Sequence, residues 1–238
     1  MSIPGLDRWL ASAAGRSVLD WELGQVDRML TDIFGYHALQ IGLQQVDYLR
    51  ANRIPLRQKG GDTVGSDFLC DFNALPIASN STDLLVLPHV LEFSDEPHQI
   101  LREVERILIP EGQVVIVGFN PLSLWGLKRR FDRSGEYPWN GSYLSMNRLK
   151  DWLKLLGFEI AQGSQGCCIP PLERLHWLRQ WQAVDQPGDR WWNISGGVYV
   201  LHAIKRMHGM RLITPNWKKK PVRAKALRPI TQKETHGH

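Results

Sequence analysis

Apolar residues recur at Leu19, Leu23, Val26, Met29, Leu30 and Ile33, a spacing that lays one greasy stripe along a helix over residues 19–34, with Gly35 as its stop. The rhythm then changes. Residues 37–42 predict a short buried strand, 45–52 a short helix with Val46 and Leu49 inward, and 54–57 a second strand. Lys59, Gly60, Gly61, Asp62 and Gly65 mark a loop. Residues 68–70 are strand-like and end at Asp71, and 84–87 form a continuous apolar run, as in a strand covered on both faces. Asp95 and Glu96 before Pro97 open a helix whose Ile100, Leu101, Val104, Ile107 and Leu108 share a face. Pro110 and Gly112 end it, and 114–119 is the next strand. Ser145 caps a helix with Leu149, Trp152, Leu153 and Leu156 inward and Gly157 just past its end. Residues 158–161 are a strand, 170–190 are helical in their middle, and 198–205 close the pattern as a strand.

Strands alternating with helices predict an α/β fold: a Rossmann-like, mostly parallel sheet with helices on both faces and an antiparallel closing strand. The expected organisation is a helical segment over 1–35, an α/β domain over 36–206 with a cap at about 121–145, and a basic, disordered tail over 207–238. Ligands in such sheets lie beyond the carboxyl ends of the strands, which directs attention to 42–46, 71–73, 87–89 and 119–121. Only eight residues, 59–66, separate the second strand from the third. A parallel crossover takes about a dozen. The first βαβ units are therefore read as reduced, with a helix missing and one edge strand lost, shortened or reversed.

Charge sharpens this division. Residues 205–238 hold ten of the 29 basic side chains and one of the 24 acids, so the remainder carries 19 basic against 23 acidic residues. A segment this polar, with three prolines, buries too little surface to offset its ordering entropy. It is either a solvated end or a contact for RNA or another polyanion, with Trp217 beside Lys218, Lys219 and Lys220 as a stacking group. Three cysteines, two of them adjacent, form no disulfide framework and fit a reducing cytoplasm. No apolar run approaches the roughly 18 residues of a membrane span, so no membrane is expected as a partner. Cys167, Cys168 and His176 are too few for a metal site. His37 and His202 lie within strands and are read as packed core residues.

From Cys70 onward the chain runs CDFNALPIASNSTDLLVLPHVLEFSDEPHQILREVERILIPEGQVVIVGFNP. This resembles the pattern GDAxxLPFxxxSFDxVxxxHVLxHxxDPxxxLxExxRVLxPGGxxxIxxFNP of class I S-adenosylmethionine-dependent methyltransferases, in particular the type 11 methyltransferase domain. The likeness covers roughly residues 35–205. A further likeness is to a proteobacterial subgroup of that domain, in which GYHLLQIG and SLWGLRR-like segments recur. The resemblance implies S-adenosylmethionine as cofactor, with Gly42 and Gln44 in the first loop. It places Asp71 on the adenine amino group, Phe72 over the ring, and Leu87 and Pro88 along the methionine part.

The chain departs from the family where the cofactor's loop should be. Gln44 and Val46 stand where small residues are usual, and Gln40 replaces the acid that opens the motif. No acid stands after residues 54–57, where the family clamps the ribose; Asp62 and Asp67 are substitutes without an assigned place. His89 is the candidate general base, beside the methyl group and with a pKa near neutrality. The segment PLSLWGLKRRF and the later YPWNGSYLS form the expected cap, with Trp125, Trp139 and Tyr143 over the acceptor; the plain reading of the former is an amphipathic helix with a basic outer face. Two functions follow: a methyltransferase acting on an acceptor the sequence does not identify, or a catalytically inactive scaffold of the same fold that binds a protein partner or RNA.

Overall fold

The first strand, β1 (His37–Ile41), lies in the interior of a seven-stranded sheet, third from one edge. A computed structural model describes residues 5–62, 65–167 and 196–206. The other strands are β2 (Leu56–Gly61), β3 (Phe68–Leu69), β4 (Thr82–Pro88), β5 (Leu108–Phe119), β6 (Phe158–Gly166) and β7 (Val198–Lys205), and their order is β3-β2-β1-β4-β5-β7-β6. All pairs from β3 to β5 are parallel, and β7 runs antiparallel between β5 and β6.

Alternation along the strands splits the core into two layers. Ala38, Leu84, Val86, Val115, Val117, Val198 and Val200 face the helices α1 (Leu6–Ala11) and α2 (Ala13–Leu30). Leu39, Ile41, Leu85, Leu87, Ile116 and Leu201 face α3 (Pro97–Ile107) and α5 (Met146–Leu155). Between β5 and α5 lies α4 (Leu124–Phe131). The N-terminal stripe predicted from residue 19 begins earlier, because Ser12 caps α2 by accepting from the Gly15 N–H at 3.0 Å. Its Val18, Val26 and Leu30 share one core with β1, β4 and β5. Ser145 caps α5 as expected, accepting from the Arg148 N–H at 3.3 Å.

Gly60 and Gly61, read as part of a loop, belong to β2, which pairs with β1 from His37↔Leu56 through Ile41↔Gly60. Of the outcomes expected for the edge strand, shortening is the one observed: β3 is a two-residue parallel edge, joined to β2 by residues 62–67. Lys59 N donates to Asp67 Oδ2 at 2.7 Å and Asp67 N to Lys59 O at 2.8 Å, so paired bonds rather than a crossover helix hold this return. Residues 45–52 form turns, not a helix. The predicted helix at 170–190 lies outside the described residues, as do Cys168, His176 and the 207–238 tail.

Gln40 supports the turns that stand in place of the helix predicted over 45–52. Its side chain is fully buried beneath the loop that follows β1. Its Nε2 donates to the carbonyls of Gly42 and Leu43 at 3.1 Å and of Val46 at 2.9 Å, and its Oε1 accepts from Tyr48 N at 3.0 Å. In a helix each of those carbonyls and that N–H would bond another backbone group; here one side chain satisfies them. An amide can both donate and accept here; a carboxylate only accepts. Restoring the family's acid by Gln40→Glu is therefore expected to lower stability by about 3 kcal/mol, read as a lower urea midpoint at unchanged slope.

Candidate functional site

A cavity of ≈ 730 Å³ opens at the carboxyl ends of β1, β2 and β4. Its floor is Gly42, Leu43 and Gln44 after β1, and Pro88, His89 and Val90 after β4. Cys70, Asp71, Phe72 and Asn73 form one side; Phe93, Ser94, Asp95 and Tyr137 form another; Leu6 and Asp7 of α1 complete the wall. Gly42 has φ +87°, and a Cβ there would stand 2.5 Å from Val90 Cγ2. Only glycine lets this backbone pass so close to β4's end.

Gln44 does not close the hollow. A Cβ on Gly61 would lie 1.3 Å from Gln44 Nε2, so the amide rests flat on the bare backbone at the end of β2. Val46 is drawn the other way, half-buried against the α2 core. The side chains that seemed to obstruct the loop are both stowed, one against a glycine and one in the hydrophobic layer.

The next residue after β2 is Asp62, which lines the cavity. Sequence reading ended this strand at Arg57 and so found no acid there. The signal was present: continuing the strand through the two glycines puts a carboxylate at its tip. Asp67 instead accepts from Lys59 N. Asp71 is exposed in the wall, where one carboxylate oxygen accepts from Asn73 N at 2.9 Å, the bond of a tight turn. That turn is moored to α3. Glu103 accepts from Leu75 N at 2.9 Å, and Arg106 donates to the carbonyls of Leu75 and Ile77 at 2.9 and 2.8 Å. Phe72 and Pro88 line the cavity; Leu87 faces the opposite core with Ile100 and Leu101.

His89 sits at the cavity floor with φ +54°, its N–H donating to Val117 O at 3.0 Å. Its ring is buried, and both nitrogens are engaged: Nε2 with Glu22 Oε1 at 2.8 Å and Nδ1 with Glu92 Oε2 at 2.9 Å. Glu22 also accepts from the Tyr48 hydroxyl at 2.7 Å, and Glu92 from Phe119 N. Burial alone would lower the imidazole's pKa; the two carboxylates and their bonds override it and hold it up to about 10. Burial likewise raises Glu92, against the pull of His89 and the Phe119 N–H. The group is thus an imidazolium between two carboxylates, tying α2 to the ends of β4 and β5. In this arrangement neither ring nitrogen is left to take a proton from an acceptor.

The expected cap residues lie elsewhere. Trp125 is buried and stacks on Phe119 and Trp139 at 5.9 and 5.4 Å, and Tyr143 stacks on Phe119 at 5.1 Å. None of the three lines the cavity. Tyr137, part of the expected cap segment but not singled out there, does; it stacks on Phe93 at 5.1 Å, and its buried hydroxyl has no partner among the described residues. His37 is exposed at the start of β1, while His202 is largely buried and bonds Gln113 Oε1 at 2.6 Å.

Residues 37–116 match a family model described as a methyltransferase domain. Over this stretch the chain is similar to that methyltransferase domain. The uncharacterised protein YafS of Escherichia coli K12 is 32% identical over 149 residues, covering 61% of this chain and 62% of that protein. The chain thus matches somewhat less than two thirds of that relative. Among solved structures, an S-adenosylmethionine-dependent methyltransferase from Thermotoga maritima, described as a possible histamine N-methyltransferase, superposes with TM-score 0.62 at 18% identity, over 84% of this chain and 94% of that one. One from Mesorhizobium loti gives TM-score 0.53 at 14% identity over 76% and 96%. At such identities the likeness is one of fold. Among the described residues, no helix is long and apolar enough to cross a membrane.

The imidazolium makes a sharp forecast. Its folded-state pKa is raised, so its contribution is complete below pH 6.5 and is lost as pH climbs through about 10. The raised Glu92 adds a fall of the same sign at lower pH. Urea midpoints of the wild type are expected to drop across that alkaline window. His89→Gln, which strands two buried carboxylates, is expected to cost about 3–5 kcal/mol at pH 7 and to flatten the drop.

Proposed function

We propose that this chain is an S-adenosylmethionine-dependent methyltransferase whose cofactor lies in the cavity at the ends of β1, β2 and β4. The observation that carries this reading is room: the hollow stays open because Gln44 is laid on Gly61. Its chemistry supports the same ligand. Among the described residues four aspartates, Asp7, Asp62, Asp71 and Asp95, line it, and no Lys or Arg does. That field favours a ligand bearing a sulfonium and an ammonium. When bound, the cofactor supplies an activated methyl group.

The residues divide the remaining work. Asp71 accepts from the adenine amino group and Phe72 covers the ring. Asp62, at the tip of β2, accepts from the ribose hydroxyls, with the Gln44 amide beside it. Gly42 and Pro88 bring backbone alongside the methionine part. Phe93, Tyr137 and Leu6 provide an apolar end for the acceptor, where alignment of nucleophile and methyl is the main source of acceleration. His89 is then a strut for this wall, rather than the general base its sequence position suggested. The cysteine usage fits work in a reducing cytoplasm.

Isothermal titration of the folded chain with S-adenosylhomocysteine tests the reading. Micromolar binding is expected, weakened by about 1–3 kcal/mol in Asp62→Ala and in Asp71→Ala. A folded sample silent at millimolar ligand supports the inactive scaffold instead. Binding unchanged in both variants removes the adenine and ribose assignments.

A further inference from the structure

The segment after β5 turns an apolar face to solvent. Ser123 caps α4, accepting from Gly126 N at 3.3 Å, and Trp125 anchors the helix inward at 1% exposure. On the other side Leu124, Leu127 and Phe131 are 51%, 54% and 75% exposed, and Leu122 just before them is 74% exposed. Their spacing of three and four confines the three helical residues to an arc of roughly 60°, with Trp125 well off that arc. A solvated helix face would be polar. The sequence had suggested a basic outer face; the cations in fact border the leucines. Arg130 flanks one side of the stripe and Lys128 the other, with Lys128 Nζ 4.5 Å from the centre of the Trp139 ring. Exposed Arg133 follows one turn on.

We propose that α4 docks this face onto an anionic lipid membrane, lying in the plane of the interface. An apolar stripe bordered by long cationic side chains is the pattern of an interfacial helix: the leucines and Phe131 enter the acyl boundary while the ammonium and guanidinium groups rise to the phosphates. Charge complementarity selects anionic headgroups. RNA offers phosphates but no apolar phase for four exposed hydrophobic side chains. An eight-residue helix alone anchors weakly, and stable attachment takes a second signal. The sequence carries one in the ten basic residues of 205–238. The proposal is independent of the methyltransferase reading and involves no membrane crossing.

Vesicle co-sedimentation of the full chain tests it. Partitioning is expected onto phosphatidylcholine vesicles containing phosphatidylglycerol, weakly onto phosphatidylcholine alone, and less as salt is raised. The double substitution Leu127→Asp with Phe131→Asp is expected to cut partitioning at least tenfold. Leu155→Asp, at an isolated 85%-exposed position on α5, is expected to leave it unchanged. All substituted side chains are exposed, and circular dichroism checks that the variants fold. Wild-type protein left in the supernatant overturns the proposal. So does partitioning indifferent to the double substitution, which assigns the anionic contact to 205–238. A self-associated wild type that the double substitution renders monomeric without vesicles also overturns it, assigning the stripe to a second copy.

Discussion

An imidazolium clasped by two carboxylates lies where α2, the end of β4 and the end of β5 converge. Each component is costly to bury alone, and together they are paired and hydrogen-bonded on nearly every side. Glu22 brings the N-terminal helix to the sheet, Tyr48 brings the loop after β1 to Glu22, and Glu92 closes on the backbone of β5. The cavity floor is therefore a set of elements bolted through one charge cluster. His89 keeps a left-handed backbone that a residue of its kind tolerates only when surroundings enforce it.

Gln40 in β1 and Gln44 in the loop after it show how a family motif can be rewritten without losing its hollow. In the usual arrangement an acid and small residues leave space by being short. Here Gln40 turns inward and uses both halves of its amide to gather the loop, while Gln44 lies down on a glycine of the neighbouring strand. Bulk is accommodated by direction rather than by size. The acidic character lost from β1 is present across the gap, at Asp62.

Much of the architecture was legible from the chain. The run at 84–87 is wholly apolar, 114–119 is broken only by Gly118 and 198–205 only by His202 and Lys205, as befits strands covered on both faces. The helix over α3 was legible because an acidic opening, a proline and a clean stripe agree. What was lost was lost at β2, whose LRQKGG has the composition of a loop and is a strand only because β1 dictates its register. That one boundary hid Asp62. Glu22 was hidden differently. It occupies the stripe formed by Val18, Val26 and Leu30, and an acid in such a stripe is itself a sign of a buried partner. Which residue that partner is depends on a contact between positions 22 and 89, which no local pattern encodes.

Leu6 and Asp7 give the cavity a wall drawn from α1. The next lining residue along the chain is Gly42, so closing this wall joins segments far apart in sequence, and the hollow takes its shape only once α1 has settled on the sheet.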